Sequence, residues 1–85
     1  MYRVTVNTSG RYDNVTLGAR YCFTRKTAIN LANLFFGDDC GVTIEKFIHC
    51  GDAFVWSDAW EETKIIIDEN DDGNFFARKA NRYDF

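Results

Sequence analysis

One stretch of the chain, residues 24–37, has the apolar spacing of an amphipathic helix. Its apolar residues recur at positions i, i+3, i+4 and i+7, and these are Ala28, Leu31, Ala32 and Phe35. The first residue of the stretch is a threonine that can cap a helix, and the last is a glycine that can end one in the left-handed conformation. The pattern therefore predicts one long helix over 24–37.

Residues 2–8, 15–23 and 42–50 alternate side chains between two faces with period two, which predicts β-strands. Short runs of aromatic or β-branched residues predict further strands at 53–56 and 64–68, and 75–80 is the natural partner of 64–68. Gly18 interrupts the second segment and predicts a bulge or a close backbone contact. Residues 57–63 combine a cap residue with early acids, so a short second helix and an extended loop are both open there.

Together these elements predict a single α+β domain over residues 1–85, with the helix packed on one face of an antiparallel sheet of about five short strands. A chain of 85 residues is long enough for one modest core. Aromatic residues make up 16% of the chain, so we expect that core to be rich in aromatic side chains. The sequence contains no proline, internal repeat or low-complexity linker that would indicate a second domain.

The sequence has no run of about 18 apolar residues to span a bilayer, and no apolar signal segment near its start. We therefore expect a soluble, cytoplasmic protein. Cys22, Cys40 and Cys50 are odd in number, so they cannot all pair within one chain. Reduced thiols packed in the fold are the interpretation that suits a cytoplasmic protein.

The net charge of −3 hides a separation of charge along the chain. Residues 38–72 contain eleven acidic and two basic side chains, a net charge of −9. The rest of the chain contains eight basic and two acidic side chains, a net charge of +6. If the separation persists in the folded molecule, it favours electrostatic recognition of a partner.

Two sequence features invite a metal or catalytic interpretation. Residues 68–73 read DENDDG, like the start of a calcium loop, but position twelve of that pattern is Lys79 where a bidentate glutamate is needed. His49 and Cys50 are strand neighbours whose side chains point to opposite faces, and the cysteines lack the paired spacing of a zinc site. We therefore predict a hairpin turn at 68–73 and a protein with no catalytic residue, no metal and no cofactor.

Acidic side chains and two tryptophans are the stronger candidates for a partner-binding surface. Carboxylates on turns can present negative charge to a protein surface that normally holds nucleic acid, and tryptophans often anchor interfaces. The predicted partner-binding residues are Asp38, Asp39, Trp56, Asp58, Trp60, Glu61, Glu62, Asp68, Glu69, Asp71 and Asp72. The alternative is that the acids only keep the protein soluble and that both tryptophans belong to the core.

Direct binding of nucleic acid is a less favoured interpretation. An acidic stretch of −9 would repel a phosphate backbone unless it lies on another face of the molecule. The residues that could bind nucleic acid are the cations Arg3, Arg20, Arg25, Lys26, Arg78, Lys79 and Arg82, with Tyr12, Tyr21 and Phe76 as stacking partners.

A small, acidic, proline-free α+β chain with acids in its turns resembles the small phage-encoded inhibitors of host defence, including anti-CRISPR and anti-restriction proteins. The acids that carry the resemblance are DD at 38–39, SDAWEE at 57–62 and DENDDG at 68–73. The resemblance implies a stoichiometric inhibitor that blocks a host nuclease or another nucleic-acid-handling complex. A self-associating structural or accessory module, in which the basic ends of one copy meet the acidic middle of another, is the alternative.

The charges at the ends of the predicted helix oppose its dipole. Arg25 and Lys26 fall in its first turn, while Asp38 and Asp39 follow its last. Such local conflicts concentrate at functional sites, so we expect binding surface near both helix ends.

Overall fold

The computed structural model describes residues 1–7, 16–37 and 40–81, which form six strands and two helices. In chain order these are β1 (Tyr2–Asn7), β2 (Thr16–Cys22), α1 (Arg25–Gly37), β3 (Gly41–Cys50), β4 (Ala53–Ser57), α2 (Trp60–Thr63), β5 (Ile65–Glu69) and β6 (Phe75–Lys79). The predicted helix and strand segments are confirmed to within one residue at each described end, and 57–63 contains the short second helix. Neither of these helices has the length and apolar character needed to cross a membrane.

The strands form two antiparallel sheets, one with the order β2-β1-β3-β4 and one made of β5 and β6. The predicted α+β class is confirmed, with six strands in two sheets where the sequence indicated about five in one. The division has a local cause, because α2 and Lys64 separate β4 from β5. Lys64 has a left-handed φ of 58° and donates its N–H to the Trp60 carbonyl at 2.8 Å, which turns the chain out of the first sheet.

Helix α1 covers one face of the four-stranded sheet and also contacts β6. Its buried residues Ala28 and Ala32 are small, so the helix backbone approaches the sheet closely, and they pack with Val4 in the same core cluster. The predicted aromatic-rich core is wrong. Among the described residues, Tyr2 is the one buried aromatic side chain, and the other rings lie partly or largely at the surface.

The start of α1 is capped as predicted, because the Thr24 hydroxyl accepts a hydrogen bond from the Thr27 N–H at 3.2 Å. The predicted left-handed ending at Gly37 is wrong, since left-handed glycines in the described residues are Gly51 and Gly73. The last turn is closed instead by a hydrogen bond from the Cys40 N–H to the Phe35 carbonyl at 3.3 Å.

The predicted irregularity at Gly18 is confirmed as a bulge. Val6 pairs with Gly18 whereas Asn7 pairs with Thr16, so one extra residue is accommodated on β2. An edge strand with a bulge is twisted locally and is a poor template for another strand.

Arg25 has a structural reason to lie at the start of α1. Its Nε donates to the Thr63 carbonyl at 3.2 Å, which joins the beginning of α1 to the end of α2. The helix-end conflict that suggested a binding surface at Arg25 is therefore explained by packing. Asp38 and Asp39, at the other end, lie outside the described residues.

Asn33 joins α1 to the second sheet. Its Nδ2 donates to the Ala77 carbonyl at 3.0 Å, and its Oδ1 accepts from the Ala77 N–H at 2.7 Å. These backbone groups point away from β5, so the side-chain amide occupies the place that a neighbouring strand would take.

Replacing Asn33 with alanine should lower the free energy of unfolding by about 1–3 kcal/mol, because both groups of Ala77 lose their partner. Asn30→Ala is the matched control, since Asn30 lies exposed on the same helix. Urea unfolding followed by circular dichroism measures both variants. Equal stability of the two would contradict the bridging role of Asn33.

Candidate binding surface

The face of the four-stranded sheet that points away from α1 is rich in aromatic side chains. Residues paired across antiparallel strands share a face, so the register places Arg3 beside Tyr21 and Glu45, and Phe47 beside Trp56. We call this surface the open face and define it by Arg3, Thr5, Tyr21, Glu45, Phe47, His49, Phe54 and Trp56.

The rings on the open face form one continuous series of contacts. Tyr21 lies 5.8 Å from Trp56, Trp56 lies 4.9 Å from Phe47, and Phe47 stacks on Phe54 at 5.3 Å between ring centroids. His49 adds a contact to Phe54 at 5.0 Å. These separations are those of favourable aromatic pairs, so the rings support one another from β2 to β4.

The close approach of these rings follows from the tight β3–β4 hairpin. Gly51, at φ 63°, allows a two-residue turn between Cys50 and Ala53, and the residues that flank such a turn form a hydrogen-bonded pair. Hydrogen-bonded and non-hydrogen-bonded pairs alternate along antiparallel strands. Phe47–Trp56 and His49–Phe54 are therefore non-hydrogen-bonded pairs, in which the side chains lie closest together.

Arg3 fixes the centre of the open face. Its guanidinium bonds the Glu45 carboxylate through Nε at 3.0 Å and Nη2 at 2.9 Å, and its Cζ lies 4.4 Å from the centre of the Trp56 ring. The hydrogen bond to Glu45 raises the pKa of Arg3 above its ordinary value. The guanidinium is thus held between a carboxylate and an aromatic ring, with its charge balanced locally.

The structure distributes the predicted acidic residues over several surfaces. Asp58, Glu61 and Glu62 are exposed around α2, and Glu69, Asp71 and Asp72 are exposed at the β5–β6 turn. Asp68 is engaged by Arg78 at 3.1 Å, so its charge is partly compensated. Asp52, which was not among the predicted site residues, is exposed in the β3–β4 turn.

The two tryptophans lie in different environments. Trp56 belongs to the open face, whereas Trp60 lines a groove of about 530 Å³ with Asp58, Ala59 and Ile65, Ile66 and Ile67. Both are half-buried, so neither is a fully enclosed core residue.

The basic residues proposed for nucleic acid are also divided. Arg3 bonds Glu45, Arg78 bonds Asp68, and Arg25, Lys26 and Lys79 line a groove of about 350 Å³ between α1 and β6. Tyr21 lies on the open face, whereas Phe76 lies on β6. Tyr12 and Arg82 lie outside the described residues.

The turn at 70–74 is held by its own amide. Asn70 Oδ1 accepts from the N–H groups of Asp72 at 2.9 Å and Asn74 at 3.0 Å, and Gly73 adopts a left-handed φ of 81°. The predicted hairpin turn is therefore confirmed. In the described ranges, no three His, Cys, Asp or Glu side chains are grouped as a metal ion would require.

The cysteines differ in exposure. Cys22 is buried in the core, where desolvation raises the pKa of its thiol, Cys40 is half-buried, and Cys50 is exposed on the hairpin. The thiols therefore belong to separate parts of the fold.

Sequence reasoning identified Trp56 but missed most of the open face. Tyr21 was considered only as a stacking partner for nucleic acid, and Phe47, Phe54 and the Arg3–Glu45 pair were not included in the site. One signal was present: residues 53–57 have apolar residues at every position except the last, so both faces of this strand are apolar, whereas the one predicted long helix can cover a single face of a sheet.

A double-mutant cycle with Arg3→Met and Trp56→Leu should give a coupling of about 0.5–1 kcal/mol in the free energy of unfolding, because the guanidinium lies on the ring. Arg78→Met combined with Trp56→Leu is the control cycle, since Arg78 pairs with Asp68 in the other sheet. Urea unfolding monitored by circular dichroism supplies all the values. Similar coupling in both cycles would refute the contact.

Comparison with known proteins adds no relative from which a role could be transferred. No protein-family model, curated protein sequence or solved structure matches the chain. The resemblance to phage-encoded inhibitors therefore stays a prediction, and the surfaces described above carry the functional interpretation.

Proposed function

We propose that this chain is a non-enzymatic binding protein whose open face contacts another protein. The observation that carries the proposal is the exposed series of rings. Tyr21 is 60% exposed, Phe54 is 63% exposed and Phe47 is 39% exposed, although each contacts another ring. Aromatic rings arranged around an arginine are typical of the central residues of protein interfaces.

The energetic reason is the apolar area that a partner would remove from water. An exposed phenylalanine ring gains roughly 1.5–3 kcal/mol when it is fully buried. The ring contacts and the Arg3–Glu45 pair already restrict these side chains, so less conformational entropy is lost on binding than for mobile side chains. The open face is therefore a pre-organised surface.

In its more specific form, we propose that the partner handles nucleic acid and that this chain inhibits it. Two exposed acids, Asp52 and Asp58, lie at the two ends of β4, and two more, Glu61 and Glu62, lie exposed on α2. Such acids would suit a basic groove that flanks an apolar contact area, and they would accelerate association electrostatically. The rings would supply affinity and the acids would supply orientation.

Capture experiments with lysate from the cells in which the protein occurs test the role of the open face. The Tyr21→Ser, Phe54→Ser double variant should retain less than about a tenth of the partner retained by the unaltered chain, because it removes two exposed anchors. Leu34→Ser, Phe75→Ser is the matched control, since these residues are 63% and 56% exposed on other surfaces. Quantitative mass spectrometry measures the retained proteins.

Equal capture by the open-face variant and the control variant would contradict the proposal. Once a captured partner is purified, raising the salt concentration should weaken its binding if the acids meet a basic groove. Binding that is insensitive to salt would refute the electrostatic form and leave the aromatic contact in place.

Single-stranded nucleic acid is a second candidate ligand, because exposed rings on a four-stranded antiparallel sheet can stack on unpaired bases. The charges oppose it, since Arg3 is neutralised by Glu45 and Asp52 and Asp58 lie at the ends of β4. We expect no change in tryptophan fluorescence when oligothymidine of about 12 nucleotides is added at low salt. Saturable quenching that disappears with salt would favour this ligand over a protein.

A further inference from the structure

We infer that the outer edge of β4 binds an extended segment of the partner protein, which adds to the sheet as a fifth strand and carries a basic residue near each end. The inference rests on the proposed function in taking the partner to be a protein. The backbone of β4 would then contribute binding energy in addition to the side chains of the open face.

The outer edge of β4 has backbone groups that no strand in the described part of the chain pairs with. The two-residue turn fixes which pairs between β3 and β4 are hydrogen-bonded. These pairs are Lys46–Ser57, Ile48–Val55 and Cys50–Ala53. The same alternation follows from the other side of β3, where the Phe47 N–H donates to the Met1 carbonyl at 2.9 Å. The N–H and C=O groups of Phe54 and Trp56 therefore point outward.

No described strand pairs with this edge, since β4 is the last strand in the order β2-β1-β3-β4. In β4 itself there is no charged residue, proline or bulge, and Ala53, Phe54 and Val55 are exposed. The opposite edge strand, β2, contains the exposed Arg20 and the bulge at Gly18. Natural proteins protect edges with such features, so β4 differs from β2 in being open to strand addition.

The charges at the two ends of β4 define the occupant. Asp52 and Asp58 are both exposed, and they lie immediately before and after the strand. A partner segment of about seven residues would therefore be favoured by basic side chains near both ends. Two residues inside the segment would exchange hydrogen bonds with Phe54 and Trp56, and their side chains would extend the open face.

A second copy of this chain fits the edge less well. A twofold axis through Val55 would pair Phe54 of each copy with Trp56 of the other. It would also place Asp52 of each copy near Asp58 of the other, and like charges across strands are destabilising. The same acids that favour a basic partner segment thus oppose self-pairing.

The test uses a heptapeptide probe with blocked ends, Lys-Thr-Tyr-Val-Tyr-Thr-Lys, and the full ¹⁵N-labelled chain. Binding should shift the amide resonances of Phe54 and Trp56 and slow their hydrogen exchange. Methylating the amide nitrogens of the two tyrosines should weaken binding by about tenfold or more, because these N–H groups face β4. Methylating the central valine and one threonine is the matched control, since those N–H groups face away.

The acids have a matched test of their own. Asp52→Asn, Asp58→Asn should weaken probe binding severalfold at low salt, whereas Asp71→Asn, Asp72→Asn in the other hairpin turn should leave it unchanged. Equal effects of the two double variants would overturn the assignment of the basic ends.

Three other results would overturn the inference. No binding at about 1 mM probe would do so, as would a dimer of the unbound chain formed through β4. Binding that shifts Tyr21 and Phe47 but is equally sensitive to both methylation patterns would also overturn it. That last result would leave the proposed role of the open face intact, so the two failures can be told apart.

Discussion

The four-stranded sheet has two faces, and the one long helix can cover only one of them. This constraint determines the character of the other face. Helix α1 brings Ala28 and Ala32 against Val4, so one face of the sheet is closed by small side chains at short range. The second sheet packs on the helix side as well, through β6. Among the described residues, side chains of the strands themselves shield the other face.

Rings and one ion pair provide that shielding. Phe47 and Trp56 cover each other because the hairpin makes them a non-hydrogen-bonded pair, and Arg3 lies over Trp56 while Glu45 holds its charge. The cover is incomplete, since Tyr21 and Phe54 remain largely exposed. A sheet face that only needed to be solvated could have carried threonine and lysine at these positions. The aromatic composition therefore supports the proposal that a partner protein contacts this face.

Local patterns in the sequence were sufficient to predict the helices and strands. They were not sufficient to predict which side chains share a face of the sheet. The spacing of Ala28 and Ala32 predicted the helix, and alternation together with aromatic and β-branched runs predicted the strands, because all of these depend on neighbouring residues. Whether Tyr21 meets Trp56 depends instead on β1 pairing with both β2 and β3, which periodicity does not determine. The number of aromatic residues led to the wrong prediction of an aromatic core, because composition does not show which face of a strand is covered. The binding role predicted for Arg25 rested on the helix dipole alone. Its hydrogen-bond partner, the Thr63 carbonyl, is distant in sequence, so no local pattern indicated it.

The β3–β4 hairpin connects the side-chain surface to the backbone edge. Its two-residue turn fixes one alternation, and that alternation directs the rings of Phe54 and Trp56 to the open face and their N–H and C=O groups to the outer edge. The two properties cannot be separated, because shifting the register by one residue would reverse both. A strand added at this edge would therefore contact the same two residues through side chain and backbone together. Since Asp52 and Asp58 lie immediately outside the ends of β4, a basic segment would meet all three features in a single register.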